Sequence, residues 1–165
     1  MITRLTKLLL LASIALFYTL VVFNNLTDFD SNYQFVRHVL MMDSTFPGNQ
    51  GMWRALNSPA LHLASYWSLI AWAFATMVLC WWGVWQLLRR LKSPAAEFNA
   101  AKRIPILALL FGMLLWLGAF LTVGGEWFLM WQSAKWNGQQ AAFRMFTTIG
   151  VVLLLMLQPE RDDQP

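Results

Sequence analysis

The two histidines of this sequence, with the methionine and aspartate near one of them, are the side chains best suited to chemistry. His38 and Met42 are one helical turn apart, Asp43 follows directly, and His62 comes at the far end of the same loop region. Imidazole and thioether ligands together suit copper. Two histidines do not complete a metal site, however, and methionine also fills gaps between apolar helices. We therefore predict no metal, and His38, Met42 and His62 are the candidate ligands if one binds.

No catalytic constellation stands out in the rest of the sequence. There is no G-x-S-x-G nucleophile elbow, no phosphate-binding loop and no H-E-x-x-H zinc motif. Haem held across a membrane would need histidines paired inside apolar helices, and the sequence lacks that pattern. We expect a protein that is not an enzyme. We predict no cofactor, and copper, haem or a quinone stay open.

The composition of the chain indicates a membrane protein. Of its 165 residues 58% are hydrophobic and 12% are charged, and ten tryptophans and twelve phenylalanines are among them. Soluble domains carry about twice that share of charge, so an ordinary soluble enzyme and a disordered chain are excluded. The net charge of +4 comes from positive residues beside apolar runs and not on one soluble face, so we expect no nucleic-acid partner.

Four apolar stretches approach or exceed the length of roughly 20 residues that spans a bilayer. We predict one domain, 1–165, with spans at 8–25, 61–88, 104–125 and 140–157, an outer loop at 26–58, a cytoplasmic loop at 89–103 and a second outer loop at 126–139. The fold class is therefore an all-α membrane protein, with four transmembrane helices and an extracytoplasmic helical loop capping the bundle.

Lysine and arginine counts predict the orientation, because cytoplasmic loops carry the excess. Eight such residues fall on the side of the termini and four on the other side. Both termini are predicted in the cytoplasm of a bacterium, with the protein crossing the inner (cytoplasmic) membrane several times and its two outer loops in the periplasm. The first apolar stretch lacks a signal-peptide cleavage site, so we expect it to remain as a span.

The first outer loop and the last two spans carry further structural expectations. Residues 33–42 have the apolar spacing of an amphipathic helix, which would be the cap. Glu126 and Arg144 both come at the outer ends of spans, where an acidic side chain is usually paired, so we expect an ion pair. Small residues at helical spacing predict close packing of the second and third spans; they are Ala64, Ser68, Ala71 and Ala75, and Ala108, Gly112 and Ala119.

Three long runs of this sequence resemble a bacterial family described as predicted small integral membrane protein, domain of unknown function 2165. They are NLTDFDSNYQFVRHVLMMDSTFPGN, MWRALNSPALH and GGEWFLMWQSAKWNGQQAAFR. The resemblance covers nearly the whole chain and implies four inner-membrane spans, without an activity to transfer. Met41 stands where the family pattern has serine. The motif residues are His38, Asp43, Trp53, Arg54, His62, Glu126, Trp127, Trp131, Asn137 and Arg144.

The leading functional hypothesis is a non-catalytic binding or accessory subunit that acts through its periplasmic face. One alternative is a membrane-embedded redox, metal or quinone-linked protein, and a lesser alternative is a small oligomeric transporter. Expected partners are the lipid bilayer and another integral membrane protein or further copies of this chain. The candidate outer-face binding cluster consists of His38, Asp43, Trp53, Arg54, His62, Glu126, Trp127, Trp131 and Arg144.

Overall fold

The computed structural model describes residues 1–161, and every regular element in that part of the chain is helical. The α-helices are α1 (Ile2–Thr27), α2 (Phe29–Met41), α3 (Pro59–Arg89), α4 (Ala95–Ala101), α5 (Arg103–Leu114) and α6 (Gln139–Leu157). From Leu115 to Trp127 the chain continues α5 as a π-helix, which we call the π segment. Short 3₁₀ turns lie at Met52–Arg54 and Met130–Gln132. The predicted all-α fold class is confirmed.

Four helical stretches are long and apolar enough to cross a membrane. They are Ile2–Thr27, Pro59–Arg89, Ala95–Trp127 and Gln139–Leu157, with mean hydropathies between 1.6 and 2.4. The third stretch consists of α4, α5 and the π segment in succession. Many large apolar side chains on these helices are exposed, as expected for surfaces that face lipid. The prediction of four candidate spans is thus confirmed.

A buried tyrosine links α1 to α5 and the π segment by hydrogen bonds. Tyr18 of α1 is fully buried and its hydroxyl donates to the carbonyl of Gly112 in α5 at 3.1 Å. The same hydroxyl accepts a hydrogen bond from the indole Nε1 of Trp116 at 2.9 Å. The backbone of Gly112 approaches closely, since a Cβ there would lie 2.8 Å from the Tyr18 oxygen. Gly112 therefore allows α5 to pack directly against α1.

The packing expected from small residues is observed in the third span but not in the second. Ala108 and Gly112 are buried against the neighbouring helices. In α3, by contrast, Ala64, Ser68 and Ala71 are exposed, so that part of the prediction is wrong. The buried face of α3 instead begins with His62 and continues through Tyr66, Ile70 and Ala73. On this face the buried Tyr66 hydroxyl is satisfied by the backbone and side-chain oxygens of Asn25, at 2.9 and 3.0 Å.

The helix expected in the first outer loop is α2. Its apolar face is buried as predicted, through Val36, Val39 and Leu40. These side chains form a second hydrophobic cluster with Tyr66 and Ile70 of α3 and with residues after the π segment. A backbone hydrogen bond of 2.9 Å from the Leu56 amide to the carbonyl of Leu40 holds the end of the loop, just before α3, beside α2. That α2 caps the whole bundle stays a prediction.

Candidate functional site

His38 and Asp43 form a hydrogen-bonded pair at the end of α2. Met42 ends this helix in a left-handed conformation (φ 54°), and the chain turns so that the Asp43 carboxylate lies 2.6 Å from His38 Nδ1. The imidazole also stacks on the indole of Trp136, with ring centroids 4.6 Å apart and planes within 6°. The His38 and Asp43 side chains are each about one-third exposed. The pair fixes the orientation of the imidazole ring and engages its Nδ1.

His62 lies apart from this pair in the hydrogen-bond pattern. Its side chain is buried in the first turn of α3, and its Nε2 lies 2.7 Å from the carbonyl oxygen of Leu56, to which it donates. Its Nδ1 is buried and finds no partner among the described residues. Met42 is also buried, among apolar side chains. In residues 1–161 no group of three or more His, Cys, Asp or Glu side chains is placed to hold a metal ion.

Arg54 occupies the gap between two tryptophans. Its Nη1 donates to the backbone carbonyls of Trp127 at 3.1 Å and Glu126 at 3.4 Å. Its guanidinium carbon lies 5.4 Å from the ring centroid of Trp53 and 5.3 Å from that of Trp127. The two indoles meet edge to face, 5.8 Å apart. These contacts attach the Met52–Arg54 turn to the C-terminal end of the π segment by hydrogen bonds and cation–π attraction.

Four large aromatic side chains, carried by the first loop, by the end of the π segment and by the turn after it, are exposed, and we call them the aromatic surface: Phe46 (55% exposed), Trp53 (72%), Trp127 (49%) and Trp131 (44%). Phe46 and Trp131 form a second edge-to-face pair at 5.7 Å. The two loops that carry these residues are joined by a 3.1 Å hydrogen bond from the Phe46 amide to the Gln132 side chain. The aromatic surface is therefore held in place by polar contacts while its rings face outward.

Glu126 and Arg144 do not meet. Both side chains are exposed, and among the ion pairs of residues 1–161 none joins these two. The expected ion pair is therefore not formed, because at this solvent-accessible end neither charge is desolvated enough to require the other. Glu126 contributes only its backbone carbonyl, to Arg54. The nine residues predicted as one cluster fall into separate groups in the described chain. Arg54 contacts Trp53, Trp127 and the Glu126 backbone, and His38 pairs with Asp43. His62 and Arg144 join neither group.

An apolar cleft beside the aromatic surface was not foreseen from the sequence. It has a volume of about 550 Å³ and lies between α2, the N-terminal half of α3 and the π segment. Its walls include Val36, Leu69, Gly118 and Phe128. The change from α- to π-helical hydrogen bonding has no signature in residue types, so the only sequence signal was the glycine content of this segment.

A buried ion cluster at the opposite end of the bundle was also missed. The Glu160 carboxylate accepts hydrogen bonds from Lys7 Nζ and from the Thr3 hydroxyl, the latter at 2.8 Å. Lys7 and Lys102 both donate to the backbone carbonyl of Gln158, at 2.6 and 2.8 Å. Burial alone would raise the pKa of Glu160, but the hydrogen bonds from Lys7 and Thr3 and the nearby positive charges hold that pKa below its usual value.

The two ends of the bundle thus differ in chemistry, with an ion cluster at one end and exposed aromatic and imidazole groups at the other. This arrangement, on four apolar helices, defines a small integral membrane protein that crosses the bilayer several times. The sequence model of the family described as predicted small integral membrane protein (DUF2165) matches residues 3–159, and the chain belongs to this family. No curated protein and no solved structure matches the chain.

Proposed function

We propose that this protein is a non-catalytic binding or accessory subunit of the bacterial inner membrane, that its termini are cytoplasmic, and that it acts through its periplasmic face. The aromatic surface is the observation that carries the proposal. Exposed tryptophan rings beside an arginine are the composition found at the centres of protein interfaces. Rings that already pack edge to face in pairs, on loops joined by hydrogen bonds, lose little conformational freedom when a partner covers them, which favours binding.

Tryptophans near the end of a span also anchor helices in the headgroup region of the bilayer, and this is the competing explanation. Trp53 argues against it as a complete account. It lies in a turn outside the four candidate spans and is the most exposed tryptophan of the described chain. The Arg54 side chain that supports it is tied to carbonyls of the π segment. A second membrane protein, or another copy of this chain, is the partner we expect.

Photocross-linking in living cells tests the proposal. An aromatic photoreactive amino acid at position 53 should give a discrete protein adduct, and Trp127→Ala should abolish that adduct by removing the ring against which the side chain at position 53 packs. Trp85→Ala is the matched control, because Trp85 is 51% exposed and has Arg89 over its ring at 4.8 Å, but lies at the other end of α3. Adducts with lipid only, or a protein adduct equally weakened by both substitutions, would contradict the proposal.

A further inference from the structure

The apolar cleft differs from the aromatic surface in chemistry and in direction of access. Its lining residues come from the apolar face of α2, from two turns of α3 and from the π segment, together with Leu56, Phe128 and Met130. Of these three helical elements, α3 and the π segment belong to candidate spans and α2 packs on α3. Two of the three helical walls of this recess thus belong to helices that lipid would surround. We therefore expect a ligand of the recess to come from the hydrocarbon of the bilayer.

The π segment creates the recess. Its amide hydrogen bonds join residues five apart, as in the 3.0 Å bond from Phe128 to the carbonyl of Val123, and this pattern widens the helix. Gly118 lies in the wall and has no side chain to fill the space, and a Cβ built there would meet nothing within 4 Å. No neighbouring side chain therefore fills the space beside Gly118.

Three of the four polar side chains of the wall have already used their hydrogens, and only the Ser65 hydroxyl makes no hydrogen bond within residues 1–161. The hydroxyl of Ser68 donates to the carbonyl of Ser65 at 2.7 Å, and that of Thr122 donates to the carbonyl of Leu117 at 2.8 Å. The indole Nε1 of Trp72 donates to the carbonyl of Phe111 at 3.1 Å. A quinone ring or sugar buried here would leave most of its oxygens without donors, whereas a hydrocarbon chain needs none.

The volume of the cleft favours a hydrocarbon chain over a protein helix as its ligand. One turn of α-helix with its side chains, a cylinder about 10–12 Å wide and 5.4 Å long, occupies roughly 400–600 Å³. The cleft of about 550 Å³ could receive only one such turn, but a slender chain can enter it lengthwise. The residues that line an empty apolar space also lack dispersion contacts, and the acyl chains of the surrounding lipids supply them.

We infer that this cleft is a binding site for one acyl chain of a membrane phospholipid. The inference goes beyond the proposed partner-binding function and does not depend on it. The chain lies against Leu69 of α3 and Val36 of α2 and fills the space above Gly118, while the headgroup stays at the outer surface of the membrane.

The test uses the full-length protein in vesicles of phosphatidylethanolamine and phosphatidylglycerol that contain a phospholipid with a diazirine in one acyl chain. After irradiation, adducts should concentrate on residues 65–72 and 118–124 relative to the exposed lipid-facing leucine Leu154 of α6. Gly118→Phe should lower cleft adducts at least about tenfold, equivalent to roughly 1.4 kcal/mol of binding. Leu117→Phe, which adds the same ring at a neighbouring residue outside the cleft wall, should leave them unchanged.

Three results would overturn the inference. Labelling of the cleft no stronger than that of Leu154 would mean ordinary boundary lipid. Displacement of the adducts by an added isoprenoid quinone, but not by unlabelled phospholipid, would assign the cleft to the quinone. Unchanged cleft adducts in Gly118→Phe would mean that the label enters elsewhere, provided that its melting temperature matches wild type. The position-53 cross-link should survive in Gly118→Phe, so failure of one proposal is distinguishable from failure of the other.

Discussion

Glu160→Gln is expected to destabilise the protein by about 3–5 kcal/mol, the usual cost of removing one partner from a buried ion pair. The Glu160 and Lys7 side chains are each only 8% exposed, and the substitution leaves the Lys7 ammonium without its carboxylate. The free energy of unfolding in mixed detergent micelles, followed by tryptophan fluorescence during titration with a denaturing detergent, measures this loss.

Glu97→Gln is the matched control for this substitution. Glu97 pairs with Arg90 at 2.7 Å near the same end of the bundle, but its side chain is 50% exposed. An exposed pair of this kind contributes about 0–1 kcal/mol, so the control should be nearly silent. Equal losses in the two variants would show that the Glu160 cluster is not desolvated.

The same cluster gives a pH dependence with a defined sign. The pKa of Glu160 is lower in the folded protein than its usual value, so its ionised form stabilises the fold. That contribution is fully present above the unfolded pKa of about 4.3 and declines as the pH falls through the lower folded value. Acidification below that range should therefore destabilise wild type more than Glu160→Gln, and parallel curves would contradict the assignment.

Gly112→Leu should have the second-largest effect on stability. A Cβ at this position would lie 2.8 Å from the Tyr18 hydroxyl and 3.3 Å from the Thr76 methyl group, all in the core of the bundle. Overpacking of this kind costs about 1–3 kcal/mol, and the buried hydrogen bond from Tyr18 to the Gly112 carbonyl would be disturbed in addition. The unfolding titration described above measures the sum.

Gly118→Leu controls for the loss of a glycine from the same span. A Cβ at Gly118 meets nothing within 4 Å, and leucine favours a helix more than glycine does. We therefore expect unchanged or slightly higher stability. Similar losses at both glycines would show that the close approach at Gly112 is not what constrains the bundle.

The sequence predicted features that rest on local spacing or on composition. Hydrophobic run lengths predict four apolar helices, and the spacing of Val36, Val39 and Leu40 predicts the buried face of α2. These properties depend on the helical period and on the thickness of a bilayer. The family resemblance was equally accessible, because its motifs are long and continuous, and it is confirmed.

Features that rest on tertiary contacts could not be predicted in the same way. Glu160 meets Lys7 across 153 residues of chain, and nothing in the sequence around either one specifies the other. The exposed small residues of α3 show that composition alone does not select the packing face, since the face that is buried carries Tyr66, whose hydroxyl is bonded to Asn25 at the end of α1. Proximity at one end of the bundle likewise did not bring Glu126 to Arg144.

Accessibility of introduced cysteines is the most direct test of the central claim, that the aromatic end of the bundle faces the periplasm. Cys80 is fully buried, so a Cys80→Ala parent gives a clean background. In intact cells made permeable only at the outer membrane, an impermeant maleimide should label Gln50→Cys and Asn137→Cys. Ser93→Cys should react only after the inner membrane is opened. Labelling of Ser93→Cys in intact cells, with Gln50→Cys and Asn137→Cys protected, would contradict the claim.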